Sequence, residues 1–291
     1  MNKVAITTGD LFGIGHEIVE KALVALKLPH EQVIIVGRQV LDYPCVEIEN
    51  DDNGRHCYEA ILKACDMAKR GVVKGIVTAP VSKEALHKSG YKFNGQTEIL
   101  EANLKGKAEM LFIARDLRAM LLTRHLPLNE IASAINEKMI IEKTLRLRDF
   151  LKEKYKIKKP KIAFCALNPH AGEGGILGRE EIEIINPALA RLRVKGVDIT
   201  DALSADGLFA SIGKKYLAKE PQAYDAIIAA YHDQTLTALK ALAFDEVVNT
   251  TIGLEVFRTS PSSGTAYDIA GRGIADPKSM IEAIKLAIEL S

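Results

Sequence analysis

The chain has 291 residues, 47% hydrophobic and 26% charged, and 39 basic against 38 acidic side chains leave a net charge of +1. This is the mixture of a globular chain with room for one large or two modest domains, and its balanced charge gives no reason to expect nucleic acid or an anionic membrane as partner. The apolar runs are strand-sized, such as AIIAA near 226–230, far below the ~20 residues of a membrane span, and MNKVAITTGD lacks a signal-peptide pattern, so the expected location is the cytoplasm.

In chain order, KVAIT reads as a buried strand, followed by the turn TTGDLFGIGHE and the amphipathic helix GHEIVEKALVALK. QVIIVG is a second strand, HCYEAILKACDMAKRG a helix, and KGIVT a third strand leading into TAPVSKEALHKSG. MLFIAR and AMLLT follow, then the loop TRHLPL and the helix NEKMIIEKTLRLRDFLKEKYK. The basic run LKEKYKIKKPK (151–161) reads as a solvated helix end and a candidate boundary region. KIAFCA is a strand, NPHAGEGGILGRE a glycine-rich loop and EIEIINPALARLR a helix. DAIIAAY and VVNTTI are strands, RTSPSSGTAYDIAGRG a loop, and DPKSMIEAIKLAIEL the last helix. Continuous β-branched runs alternating with helical periodicity predict an α/β fold with mostly parallel sheets flanked by helices.

Gly9, Gly13 and Gly15 sit between a strand and a helix, but their spacing is not GxGxxG and no acid closes the second strand. The dinucleotide fingerprint is therefore rejected, and the glycines are read as a tight turn that brings Asp10 to the sheet edge. Cys45, Cys57, Cys65 and Cys165 form no CxxC pair and stand beside no base, which predicts free thiols, with Cys165 in a strand core.

Ligands of open α/β sheets gather beyond the carboxyl ends of strands. Three strand-end loops carry one histidine each: His125 in TRHLPL, His170 in NPHAGEGG and His232 in YHDQTLTALK. Three imidazoles with open positions are the donor set of a catalytic metal site; the other reading is that each caps a helix or bonds a carbonyl. His16, His30, His56 and His87 fall in or at the ends of helices and are not read as ligands. Asp233 and Gln234 follow His232, with Lys240 one or two helical turns on. Glu173 and two glycines follow His170 and allow close backbone approach to a ligand. Arg258 heads a hydroxyl- and glycine-rich segment suited to an anionic group or a nucleotide.

Taken in order, GDLFGIGHE, TAPVSKEAL, FNGQTEIL, HLPL, LNPHAGEGG, SADGLF, YHDQTLTALK and RTSPSSGTAYDIAGRG resemble one family nearly end to end, the 4-hydroxythreonine-4-phosphate dehydrogenases of pyridoxal phosphate synthesis. The resemblance implies the two-domain fold of isocitrate and isopropylmalate dehydrogenases, which bind NAD without a dinucleotide fingerprint. It implies a divalent metal (zinc, magnesium, cobalt or manganese) on His125, His170 and His232, the last reaching the metal of the other subunit of a homodimer. It places substrate contacts on Gln96, Thr97, Lys240, Asn249 and Arg258. NAD or NADP contacts fall on Gly264, Thr265, Ala266 and Asp268, with Gly174 of the histidine loop. The substrate is a small phosphorylated hydroxy acid whose hydroxyl becomes a ketone, with loss of carbon dioxide from the β-keto acid. Lys240 is the group expected to move the proton, with Asp206 and Asp233 as relay or supporting acids.

Three departures bear on substrate and cofactor rather than on the histidines. Gln96 stands where the family has histidine, Ser263 replaces a histidine near the cofactor, and Leu11, Phe12 and His16 alter the opening turn. They keep open a substrate such as D-threonate or D-erythronate 4-phosphate. From other classes, a phosphate acyltransferase and a non-catalytic metabolite-binding protein remain alternatives. The expected domains are 1–124 with 259–291, and 125–258, the latter carrying most of the metal site and the dimer interface, with the active site in the cleft between them.

Overall fold

The computed structural model describes residues 3–291. The chain forms two compact units, Met1–Ala108 with Asp245–Ser291, and Glu109–Phe244. The first contains β1 (Val4–Thr7), α1 (Gly15–Leu26), β2 (Val33–Gly37), β3 (Cys45–Glu47), α2 (Asn53–Lys69), β4 (Gly75–Thr78), α3 (Lys83–Lys88) and α4 (Gln96–Asn103), and the chain leaves it along β5 (Gly106–Ala114). The second holds β6 (Leu117–Leu121), α5 (Leu128–Ala134), α6 (Glu137–Lys154), β7 (Lys161–Cys165), α7 (Asn186–Val194), β8 (Asp198–Leu203), α8 (Ala205–Ala218), β9 (Ala226–Ala229) and α9 (His232–Ala243). The chain then returns to the first unit as β10 (Val248–Leu254), β11 (Phe257–Pro261) and α10 (Lys278–Leu290).

In the first unit the strands run β3-β2-β1-β4-β11-β10. They are parallel except for β10, which is antiparallel to β11. β11 pairs with β4, and this draws the returning segment into the unit where the chain began. Val4 and Ile6 of β1 pack into one apolar layer with Ile18, Leu23, Met280 and Ile284 of α1 and α10. Ala5 turns to the opposite layer, with Ile61, Cys65, Leu86 and Leu100 of α2, α3 and α4. Burial on both faces is why VAIT is apolar at every position but its last.

The second unit runs β5-β6-β9-β7-β8. β5 and β6 form an antiparallel pair, and the other neighbours are parallel. Its core includes Leu147, Phe164, Leu189, Leu192 and Ile228. Helix starts follow side-chain caps: Asp52 accepts from Arg55 N at 2.8 Å, Ser82 from Ala85 N at 3.1 Å and Asn136 from Met139 N at 2.9 Å. Among the described residues no helix is long and apolar enough to cross a membrane.

Three strands lie outside the predicted runs. β3 has three half-exposed residues; β8 reads DITDAL, with acids on its open positions; β11 opens the segment predicted as a loop and carries Arg258 inside the sheet. All four cysteines are free. Burial pushes the Cys65 and Cys165 thiols up to about 12, so they are packing groups rather than nucleophiles.

Candidate active site

In the second unit three strand ends present the histidines. After β6, Leu122 N and Thr123 N donate to Ala229 O and Ala230 O, and the Thr123 hydroxyl donates to Ala230 O at 2.7 Å. This strap holds the β6 exit alongside the β9 exit. The rings of His125 and His232 are in consequence 5.4 Å apart between centres, tilted by 44°. Two imidazoles on one tetrahedral ion stand about 5 Å apart, so the spacing of this pair fits a shared metal. His232 Nδ1 lies 2.7 Å from Asp233 Oδ1, an orienting contact that leaves Nε2 for a ligand. Gln234, one residue on, receives Ala230 N at 2.8 Å and donates to Ala166 O at 2.7 Å, tying the end of β9 to the end of β7.

The β7 exit carries His170. His170, Ala171, Gly172, Glu173 and Gly174 all have left-handed backbone, with φ of 51°, 53°, 81°, 42° and 65°. Five such residues in a row make a left-handed turn, and the three that are not glycine each cost about 1–2 kcal/mol. Glu181, 1% exposed, holds the turn from beneath. Its Oε1 accepts from Leu167 N and Asn168 N at 2.9 and 2.8 Å, and its Oε2 from Asn168 Nδ2 at 2.8 Å. Asn168 Nδ2 also donates to Glu180 Oε2 at 2.7 Å. A side chain at Gly178 would strike Asn168 at 2.4 Å, which fixes that glycine.

Asp206, at the start of α8, is fully exposed. The Ser204 hydroxyl, then the Gly207 amide and the nearby His170 imidazole hold its carboxyl below the usual range. His170 therefore sits with Asp206, and His125 with His232. Among the described residues no three His, Cys, Asp or Glu side chains are placed to hold one ion together. Lys240 lies in the last turn of α9, its ammonium 6.0 Å from the Phe244 ring. Eight residues of helix separate its Cα from that of His232 by about 12 Å.

In the first unit the polar residues converge on the end of β4. Arg258 is 2% exposed, and its partners are hydroxyls. Nε donates to Thr78 Oγ1 at 2.9 Å, Nη2 to the same oxygen, and Nη1 to Thr251 Oγ1 at 3.4 Å. Burial brings its guanidinium down to about 9, with the charge of Glu98 acting the other way. Gln96, at the first turn of α4, donates Nε2 to Ala79 O at 3.0 Å, one residue beyond Thr78. Thr97 beside it is buried. Asn249 is level with Ser260 across the β10–β11 pair and shares a sheet face with Thr251. Gln96 Oε1 and Asn249 Oδ1 are buried, and neither has a hydrogen-bond partner among the described residues.

Asp10 follows β1, where Gly9 takes φ +72° and a Cβ would meet Pro80 O at 2.4 Å. Its carboxylate is 2% exposed and accepts from Phe12 N at 3.0 Å, Asn53 Nδ2 at 2.9 Å and the Tyr267 hydroxyl at 2.8 Å. The Thr265 carbonyl accepts from Ile14 N at 2.9 Å, so the 264–268 segment is anchored on this turn. Gly264 and Gly174 each face open space where a Cβ would stand, and Ala266 and Asp268 flank Tyr267 with half-buried and exposed side chains. Asn53, Asn168, Glu181, Gln234 and Tyr267 were not among the predicted site residues. Only Gln234, within YHDQ, lay beside one.

The family described as pyridoxal phosphate biosynthetic protein PdxA matches residues 15–287. The chain is 37% identical to the 4-hydroxythreonine-4-phosphate dehydrogenase of Caulobacter vibrioides over 334 aligned positions, covering 99% of this chain and 97% of that one. A crystal structure of the Klebsiella pneumoniae protein of that name superposes with a TM-score of 0.86 at 31% identity, covering 99% of this chain and 98% of the other. An isocitrate dehydrogenase from Methylococcus capsulatus, 16% identical, shares the fold with a TM-score of 0.53 over 99% of this chain and 85% of its own.

Proposed function

The chain belongs to the family of pyridoxal phosphate biosynthetic protein PdxA, and from that membership we propose that it oxidises the hydroxyl of 4-phosphohydroxy-L-threonine with NAD or NADP. The β-keto acid so formed loses carbon dioxide to give 3-amino-2-oxopropyl phosphate. The observation that carries the reading is Arg258: a guanidinium 2% exposed whose donors reach only threonine hydroxyls. A buried cation without an anionic partner is costly, and a substrate phosphate or carboxylate supplies one. Gln96, Thr97 and Asn249 complete that half of the substrate contacts, and Lys240 contributes from the second unit.

His125, His170 and His232 would hold a divalent ion (zinc, magnesium, cobalt or manganese), which when bound lowers the pKa of the substrate hydroxyl. The 5.4 Å spacing of His125 and His232 supports this assignment, and the protein is proposed to act as a homodimer with the active site at its interface, His232 serving the metal of the other subunit. Lys240 takes or relays the hydroxyl proton, Asp233 orients His232, and Asp206 stays ionised beside His170. The open backbone at Gly264 and Gly174, with Thr265, Ala266 and Asp268, admits the cofactor. Gln96, where the family carries histidine, favours a second reading: oxidation of D-threonate or D-erythronate 4-phosphate at the same site.

The test is reduced-cofactor formation at 340 nm with each of the three compounds, before and after chelation. Chelator-sensitive turnover of the amino acid is expected. Turnover of a sugar-acid phosphate alone selects the second reading. No reduction of NAD or NADP with metal present overturns both and leaves a phosphate acyltransferase or a metabolite-binding protein. His170→Ala is expected to abolish metal-dependent turnover with the fold intact.

A further inference from the structure

Gln96 does something different from the histidine it replaces. An amide can donate or accept, and here the choice is fixed by chemistry. The Ala79 carbonyl accepts only from the amide nitrogen, which engages it at 3.0 Å. The oxygen is thereby turned away and left buried, with no partner among the described residues. Asn249 Oδ1 is in the same condition on the sheet face that carries Thr251, a partner of Arg258. Thr78 and Ala79, adjacent at the end of β4, hold the guanidinium of Arg258 and the amide of Gln96 respectively. This end of the unit therefore combines one buried cation with two buried, uncharged acceptors. Each unmet acceptor costs about 1–3 kcal/mol until a donor arrives.

Resting on the dehydrogenase reading above, we propose that this half-site recognises an α-amino acid head group: Arg258 takes the carboxylate, and Gln96 Oε1 with Asn249 Oδ1 takes the ammonium on the neighbouring carbon. A hydroxyl in that place has one hydrogen and satisfies one acceptor; an ammonium has three and satisfies both. Gln96 is then the residue that selects the amino acid over a sugar acid of the same length.

Titration calorimetry separates the groups. O-phospho-L-homoserine keeps the ammonium and lacks the C3 hydroxyl, whereas D-erythronate 4-phosphate keeps hydroxyls and lacks the ammonium. The wild-type protein is expected to bind the first at least about tenfold more tightly. Gln96→Met, which removes the acceptor, is expected to weaken the amino compound about tenfold or more and the sugar acid less than threefold. Gln96→Glu keeps an acceptor while losing the donation to Ala79, so it should hold the amino compound within threefold of wild type. Equal losses for both compounds, failure of Gln96→Glu to rescue, or a wild-type preference for the sugar acid would overturn the inference alone, provided that either compound binds. If the wild-type protein binds neither and reduces no cofactor, the dehydrogenase reading falls and takes this inference with it.

Discussion

Replacing Glu181 by glutamine tests how the His170 loop is held. Three non-glycine residues in left-handed backbone, at φ of 51°, 53° and 42°, cost together about 3–6 kcal/mol. Against this stand three hydrogen bonds of 2.8–2.9 Å into one buried carboxylate, each worth about 1.5–3 kcal/mol because the acceptor is charged. Glutamine retains one oxygen for Leu167 N and Asn168 N but sets its NH2 against Asn168 Nδ2. If Asn168 flips to accept, its oxygen then faces Glu180 Oε2, 2.7 Å from the present nitrogen. One charge-assisted bond is lost and two are weakened, a cost of about 3 kcal/mol. Urea unfolding followed by circular dichroism should show that loss. Native-state amide exchange at Leu167 and Asn168 should rise as the loop opens locally. A stability change below about 1 kcal/mol, or unchanged exchange at those amides, would refute the view that Glu181 holds the loop.

Ala171→Gly should raise stability by about 1 kcal/mol or less, since φ of 53° penalises a Cβ and not a glycine; a loss in the same urea experiment would count against the strain. Arg258→Met should leave the unliganded protein as stable as wild type or more so, because a buried charge with only hydroxyl partners is removed. The same variant should lose the rise in melting temperature that 4-phosphohydroxy-L-threonine gives wild type. A strongly destabilised Arg258→Met would show the guanidinium to be structural. His56 is buried, and burial holds its imidazole below the usual 6.5. The unfolded chain then binds the proton that the native state refuses, so stability is full above pH about 6.5 and falls as the pH drops below it. Unfolding midpoints from pH 7.5 to 5 should show this slope, and His56→Asn should reduce it.

Much of the fold was legible because both units bury their central strands on two faces. VAIT, GIVT, KIAFC and AIIA are apolar nearly throughout, a composition with few other structural uses. β8 escaped because an edge strand needs only one buried face, so its acids look like loop. β11 escaped for a different reason. Its Arg258 is buried because Thr78 and Thr251 supply hydroxyls from neighbouring strands, and nothing local to RTSP announces those partners. The histidines were found individually by their places after strands. The 5.4 Å pairing of His125 with His232 depends on β6 and β9 being neighbours, which strand order alone decides.

Two buried carboxylates explain why the strand-end loops can carry chemistry at all. Asp10 accepts from a backbone amide, an asparagine and a tyrosine; Glu181 accepts from two backbone amides and an asparagine. Each does at a strand exit what a helix or sheet partner does elsewhere, satisfying amides that an irregular turn would leave unpaired. Ligand-touching side chains are recognisable by type, because metal and anion chemistry admits few residues. A supporting acid is recognisable only by its acceptors and donors in space. Glu181 stands in EIEIINPALARLR, where it reads as one more solvated acid at a helix start. Its burial follows from the glycine-rich loop it supports, 10 to 14 residues before it in the chain. The resemblance assigned His170 its ligand role; the strain stored around that histidine, and the carboxylate that offsets it, emerged only from the packed structure.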